Sequence, residues 1–275
     1  MWMAHKPSHM ADPPYECITY DIEETVVRIR LDRPEALNAL SPQLLAELEA
    51  GLERAESNED IRAVVLEGNG RAFSSGYDIS TDEAERPLEE RLLDQRTHLE
   101  TIFSLRIPVI AAVDGPALAG GCNLAICCDL TFATETATFG YPDMHFGEPP
   151  PKFLLPFVTN SLKHARELLY SGKTIDAPEA ERMGLINRVV AGDELEATIQ
   201  AELEAIHKTP STAVAMMKDK INDVQESQGF RRYGRTDEYL GVLTMETEAA
   251  ERFREIRDKE GLEAALEWTH EADKP

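Results

Sequence analysis

From residue 15 to 32 the chain reads YECITYDIEETVVRIRLD, alternating apolar and polar positions on both sides of a polar turn at Glu23–Glu24. That period of two predicts a β-hairpin with one buried face. Ser41 and Pro42 then supply N-cap and first-turn signals, and Leu44, Leu45, Leu48, Leu52 and Ala55 recur at helical spacing, so the first helix starts here. Apolar runs at Ile61–Glu67 and Pro108–Val113 predict further strands, the former followed by the turn GNGR. An acidic, uneven segment from Thr81 to Leu105 lies between them and is expected to contain a helix ending near Arg106. Past Asp129 a strand-like run, LTFATETATF, reaches Gly140; the following YPDMHFGEPPPKF holds four prolines and is expected to form a rigid loop without regular structure. Beyond residue 155 helical patterns dominate: 161–171 closed by Gly172, 177–183, a strand-like INRVV, then helices near 193–207, 211–226, 248–259 and 262–271. Strands separated by helices, followed by helices alone, predict a layered α/β core with much parallel pairing and a helical C-terminal layer used for assembly. Residues 1–10 are read as a leader segment, 11–205 as the core and 206–275 as the helical region.

The stretch DGPALAGGCNLAICCD, Asp114–Asp129, concentrates turn residues (Gly115, Pro116, Ala117, Gly120, Gly121) before an apolar run without a helix breaker. It predicts a loop feeding a buried helix. Glycines at such a mouth let a ligand approach main-chain N–H groups, and the helix dipole favours developing negative charge there. Asn123 follows Gly120 by three residues, so its side chain shares that helical face. The plain alternative is a packed helix in which Asn123 bonds a neighbouring loop.

Composition narrows the function classes. A formal charge of -23, from 51 acidic and 28 basic residues, works against binding nucleic acid or an acidic membrane over a broad face, while leaving room for one local phosphate pocket. The same excess fits a salt-adapted protein as well as an ordinary acidic one. Four clustered cysteines, Cys17, Cys122, Cys127 and Cys128, are too few for a disulfide framework and suit a reduced, cytoplasmic setting. Cys122 and Cys127 would face about 140° apart on a helix, and the histidines show no zinc spacing, so no metal is expected. No apolar run reaches a membrane span and the N-terminus has no signal-type apolar region.

Three segments, LDRPEALNAL at 31–40, RAFSSGYDI at 71–79 and Ile107–Asp129, resemble the crotonase superfamily of enoyl-CoA hydratases and isomerases in order and spacing, and FGYPD at 139–143 and PSTAVAMMK at 210–218 continue the match. The resemblance covers about residues 15 to 265. It implies a spiral of β-β-α units with a helical trimerisation region, an acyl-CoA substrate with coenzyme A as thioester carrier, no required cofactor, and a homotrimer or dimer of trimers. By motif position the carbonyl would lie between the N–H groups of Tyr77 and Gly120. Arg71, Ser75, Asp78 and Ile79 would border the nucleotide end with Arg33 on a neighbouring loop, although a lone arginine reads equally well as solvated surface. Phe253 resembles a residue that reaches the ligand of an adjacent region or subunit. The basic cluster often found further along that last helix is absent, since Trp268, Thr269 and His270 stand there.

Where typical hydratases of the family carry two glutamates, this chain has Asn123 and Asp143. Asn123 takes up no proton near neutral pH and acts only through hydrogen bonds, whereas Asp143 can be a general base. A single titratable group suits moving a double bond, with Asp143 removing a proton and returning it two carbons away; hydration remains open if Asn123 positions the water. Tyr141, His145 and Glu148 are candidate extra proton carriers, His145 reading better as a packing or surface residue. His98 is read as lying on a solvated helix face, with the acyl end of the site as its alternative. Outside enoyl-CoA chemistry, the alternatives are a decarboxylase or hydrolase on the same scaffold, or a non-catalytic acyl-CoA-binding or assembly module.

Overall fold

A computed structural model describes residues 15–79, 97–146, 154–232 and 247–271. The leader read at 1–10, most of the acidic 81–105 segment and the proline run with Glu148 lie outside the described residues. The strands are β1 (Ile18–Glu23), β2 (Val26–Leu31), β3 (Ala63–Gly68), β4 (Val109–Val113), β5 (Pro116–Leu118), β6 (Leu130–Thr134), β7 (Thr138–Gly140), β8 (Thr174–Asp176) and β9 (Arg188–Val190). The helices are α1 (Pro42–Ser57), α2 (97–104), α3 (Gly120–Cys127), α4 (Leu155–Val158), α5 (Leu162–Ser171), α6 (Ala177–Met183), α7 (Leu195–His207), α8 (Ser211–Ser227), α9 (Glu248–Glu260) and α10 (Leu262–Glu271).

A six-stranded sheet runs β1-β2-β3-β4-β6-β9 and a three-stranded one β5-β7-β8. Among the described residues, the β1–β2 hairpin is the only antiparallel pair of the large sheet. Its parallel centre is buried on both faces, as parallel sheets generally are. Val64 and Leu66 of β3, with Val109, Ala111 and Val113 of β4, face the main core. Their alternates Ala63, Val65, Ile110 and Ala112 join Phe132 under Ile199 and Leu203 of α7. Arg28, 3% exposed, ties these layers by pairing with Glu23, Glu67 and Glu196, reaching β1, β3 and α7 at once. The helix expected from Ser41 forms, and Ser41 Oγ accepts the Leu44 N–H at 3.2 Å.

Two details differ from the periodicity. The run 130–139 is not one strand but β6 and β7, in different sheets. The chain turns between them, Ala137 N–H donating to Thr134 O at 3.1 Å, while Asp114 Oδ1 accepts from the Thr134 and Thr136 hydroxyls at 2.7 and 3.0 Å. Secondly, Pro142–Phe146 forms a 3-10 turn where an irregular loop was expected. Proline fits the first turn of such a helix because its φ is already set and no N–H is needed there.

The C-terminal helices serve the core directly. Lys218 of α8, 7% exposed, donates to the carbonyls of Ile102 and Ile107 at 3.0 and 3.2 Å and to Asp129 Oδ2 at 2.7 Å, and Asn222 Nδ2 donates to Phe103 O at 2.7 Å. These bonds close the C-terminal end of α2, where backbone carbonyls would otherwise lack partners. On its outer side α8 exposes Met217, Ile221 and Val224 at helical spacing. Helices α9 and α10 lie on the Pro142–Phe146 turn of their own chain. No helix among the described residues is long and apolar enough to cross a membrane.

Replacing Lys218 by alanine leaves a buried acceptor cluster and the Asp129 carboxylate without their cation. The expected cost is about 3 kcal/mol of unfolding free energy, measured by urea denaturation. A loss below about 1 kcal/mol would mean that solvent satisfies those acceptors instead.

Candidate active site

Three chain segments run side by side and in parallel toward one edge. β5 pairs with β7 on one flank, Leu118 opposite Gly140. On the other flank it is bridged by residue 74: Ser74 N–H donates to Pro116 O at 3.1 Å and Leu118 N–H to Ser74 O at 2.9 Å. Beyond the paired residues, the segments deliver Gly76–Tyr77, Ala119–Gly120 and Tyr141–Asp143 to the same end. Ligands of α/β folds characteristically meet such carboxyl ends of parallel strands.

The outer segment is held from behind. Leu40 N–H donates to Gly76 O at 2.8 Å and Asp78 N–H to Leu40 O at 3.1 Å. Because carbonyl and N–H of one trans peptide point opposite ways, the bond to Gly76 O turns the Tyr77 N–H away from Leu40, to the side where β5 and α3 lie. Gly76 has φ +106°, and a Cβ there would stand 2.8 Å from Ala119 Cβ and 3.2 Å from the Gly120 nitrogen. The two loops are therefore in backbone contact at the point where Tyr77 and Gly120 follow. Gly120 begins α3, and the first N–H groups of a helix have no acceptor within it. Ala119 just before it sits at φ 51°, ψ -120°, a conformation ordinarily left to glycine and costing about 1–3 kcal/mol.

Sequence reasoning missed the residue that fixes this arrangement. Asn38 is fully buried at φ 54°; its Nδ2 donates to Asn69 O and Ala72 O at 2.9 and 2.8 Å, and its Oδ1 accepts Arg33 N–H at 2.9 Å. Its carbonyl in turn accepts the Ser74 hydroxyl at 2.8 Å. The available signal was one amide between Leu37 and Leu40, of a type that tolerates the left-handed region.

Facing the mouth, Asn123 is fully buried and its Oδ1 accepts the Tyr141 hydroxyl at 2.8 Å. Asn123 does bond a neighbouring segment, and the partner is the residue two before Asp143. Asp143 is 7% exposed. Burial, then Cys122, then Asp143 and Tyr77 hold the Tyr141 phenol well above its usual pKa, and burial, Cys127 and Asp143 do the same for Tyr77. Both phenols stay protonated donors, and Asp143 is close enough to act on each. His98 is 1% exposed and meets the Tyr77 ring edge-on with centroids 6.1 Å apart. The solvated face expected for it is overturned: α2 turns His98 inward beside Leu99 and Ile102. His145 is exposed and lies against Gly172, a surface and packing position as expected. Burial pushes the Cys127 thiol up to about 12, with Asp129 adding, and Cys127 Sγ donates to Leu99 O at 3.3 Å. Among the described residues no group of three histidine, cysteine or acidic side chains could hold a metal.

Of the residues expected at the nucleotide end, Arg33 and Asp78 meet each other: Arg33 Nη1 donates to Asp78 Oδ2 at 3.1 Å and to Ala39 O at 2.7 Å. Ser75 stands beside them, its hydroxyl 3.5 Å from Ala36 O, while Arg71 is exposed on the following turn. Ile79 packs with Phe253, Ile256 and Ala265. Phe253 is fully covered by its own chain and packs against Ile79.

Comparison with known proteins follows this geometry. Residues 21–263 match the family profile described as Enoyl-CoA hydratase/isomerase. A probable enoyl-CoA hydratase of Mycobacterium bovis is 35% identical over 215 residues, 78% of this chain and 84% of that protein. A crotonyl-CoA hydratase of Syntrophomonas wolfei is 30% identical across 92% of this chain and 96% of its own. The crystal structure of an enoyl-CoA hydratase/isomerase from Xanthobacter autotrophicus Py2 superposes with a TM-score of 0.89 at 33% identity, covering 95% of this chain and 99% of that one.

Two outcomes follow from the geometry. Gly76→Ala forces a Cβ into Ala119 at a φ suited to glycine, and is expected to lower turnover by about 100-fold or more. The hairpin and α1 should keep their hydrogen-exchange protection, since the strain is local. Cys127 and Cys128 should resist iodoacetamide in the native protein at mildly alkaline pH, because raised thiol pKa values leave almost no thiolate; mass spectrometry reads the labelling.

Proposed function

The chain belongs to the enoyl-CoA hydratase/isomerase family, and from that premise we propose that it binds a thioester carbonyl between the N–H groups of Tyr77 and Gly120 and moves a proton with Asp143. The observation that carries this reading is the contact of the two loops, a Cβ on Gly76 falling 3.2 Å from the Gly120 nitrogen. An enolate oxygen formed there would meet donors that need no reorganisation, each worth about 3–4 kcal/mol of barrier. Coenzyme A enters as the carrier of the acyl group, its nucleotide end beside Arg33, Arg71, Ser75, Asp78 and Ile79, with Phe253 behind Ile79. Arg33 already neutralises Asp78, so in this reading it also keeps that carboxylate from repelling the phosphates.

The favoured reaction is double-bond isomerisation. Asp143 removes a proton from the carbon next to the thioester, the two N–H groups hold the resulting dienolate, and the protonated acid returns the proton two carbons further on. Asn123 supports this choice: its amide, which accepts the Tyr141 hydroxyl, acts only through hydrogen bonds and takes up no proton near neutral pH. Hydration is the second reading, favoured by the crotonyl-CoA hydratase of Syntrophomonas wolfei. Here Asn123 would hold the water and Asp143 would serve as base and acid in turn. For assembly, the exposed row Met217, Ile221 and Val224 supports self-association of the 206–275 region into a homotrimer or dimer of trimers.

Deuterium uptake at the carbon beside the thioester tests the proton step. Asp143→Asn is expected to lower exchange by at least about 100-fold, and Asn123→Ala to retain part of it. Undiminished exchange in Asp143→Asn would remove Asp143 from the mechanism. Products from crotonyl-CoA and a 3-enoyl-CoA then separate hydration from isomerisation.

A further inference from the structure

Tyr77 enters the site twice, through its N–H and through its ring. The ring lies over the first turn of α3: a Cβ on Gly120 would fall 2.5 Å from Cε2, 2.6 Å from Cδ2 and 2.9 Å from Cζ of Tyr77. No other side chain could occupy that surface while the ring is there. Its far edge meets His98 of α2 with centroids 6.1 Å apart, and the residue packs against the main core although only half-buried. Cys127, seven residues after Gly120 on α3, raises the phenol pKa next after burial, followed by Asp143. The ring is thus wedged between the carbonyl-binding glycine of α3 and His98 of α2.

We propose that the Tyr77 ring is the end wall of the acyl pocket and restricts the enzyme to thioesters of short acyl groups. This rests on the reading that Tyr77 and Gly120 hold the thioester carbonyl. An acyl group on a carbonyl held at Gly120 meets the ring at once, and the ring cannot swing toward α2 without displacing His98. The phenol contributes shape here, so the restriction belongs to the ring and not to the hydroxyl.

The test is the chain-length dependence of binding, measured by calorimetry with free coenzyme A and with acetyl-, butyryl-, hexanoyl-, octanoyl- and decanoyl-CoA. The wild-type protein is expected to bind butyryl-CoA at least about tenfold more tightly than decanoyl-CoA, since forcing methylenes into a filled pocket is strongly penalised. Tyr77→Ala should shift the ratio by at least about tenfold toward decanoyl-CoA. Tyr77→Leu, which refills part of the space, should lie between them and preserves the comparison if the alanine variant folds poorly. Tyr77→Phe should keep the wild-type order of chain lengths. A wild-type protein that binds decanoyl-CoA as tightly as butyryl-CoA overturns the proposal, as does a Tyr77→Ala or Tyr77→Leu profile parallel to wild type. If no thioester binds wild type more tightly than free coenzyme A, the carbonyl site itself is wrong and the pocket wall falls with it; normal binding with an unchanged order sinks the wall alone.

Discussion

The site depends on the lateral pairing of residues 74–77 with β5. β5 has three residues, yet it is flanked by the 74–77 segment and β7, and its partners run parallel to it. Parallel neighbours bring their carboxyl ends to the same level, so one short ladder gathers a glycine loop, a helix start and an aspartate from remote parts of the chain. Asn38 supplies the other half of the constraint. Its buried amide bonds two carbonyls of the 69–72 turn, and its own carbonyl holds Ser74, so the loop is fixed from both sides.

Chemistry at this edge is set by which groups can ionise. Raised pKa values hold the Tyr77 and Tyr141 phenols and the Cys127 thiol in their neutral forms near neutral pH. Tyr141 and Asn123 form a donor–acceptor pair whose direction decides what Asn123 offers. A glutamate in its place could take up a proton; an amide there acts only through hydrogen bonds.

Much of this could be read from the residues because the relevant periods are long. The hairpin, α1 and the strand before Asp114 carry enough alternating or helical positions to be placed within a residue or two. β5, β7 and β8 have three residues each, too few for any period, and they build the second sheet. The two glycine-bearing motifs announced a close backbone approach, but not the strained Ala119 that aims the helix start, since nothing about an alanine signals φ 51°. His98 was misread because the acidic residues around it look like a solvated face, although Leu99, Ile102 and Leu105 at helical spacing marked the buried side. Asn123 and Asp143 were found by position in the motifs, whereas the Tyr141 link between them needed coordinates.

Lys218 and Asn222 hold the carbonyls of Ile102 and Phe103, at the end of the short helix that also carries His98. A neighbouring face of α8 carries the exposed Met217, Ile221 and Val224. The exposed row and the candidate site thus share a single strut: a load borne by that row passes through a buried ammonium and an amide to the helix whose His98 meets the Tyr77 ring.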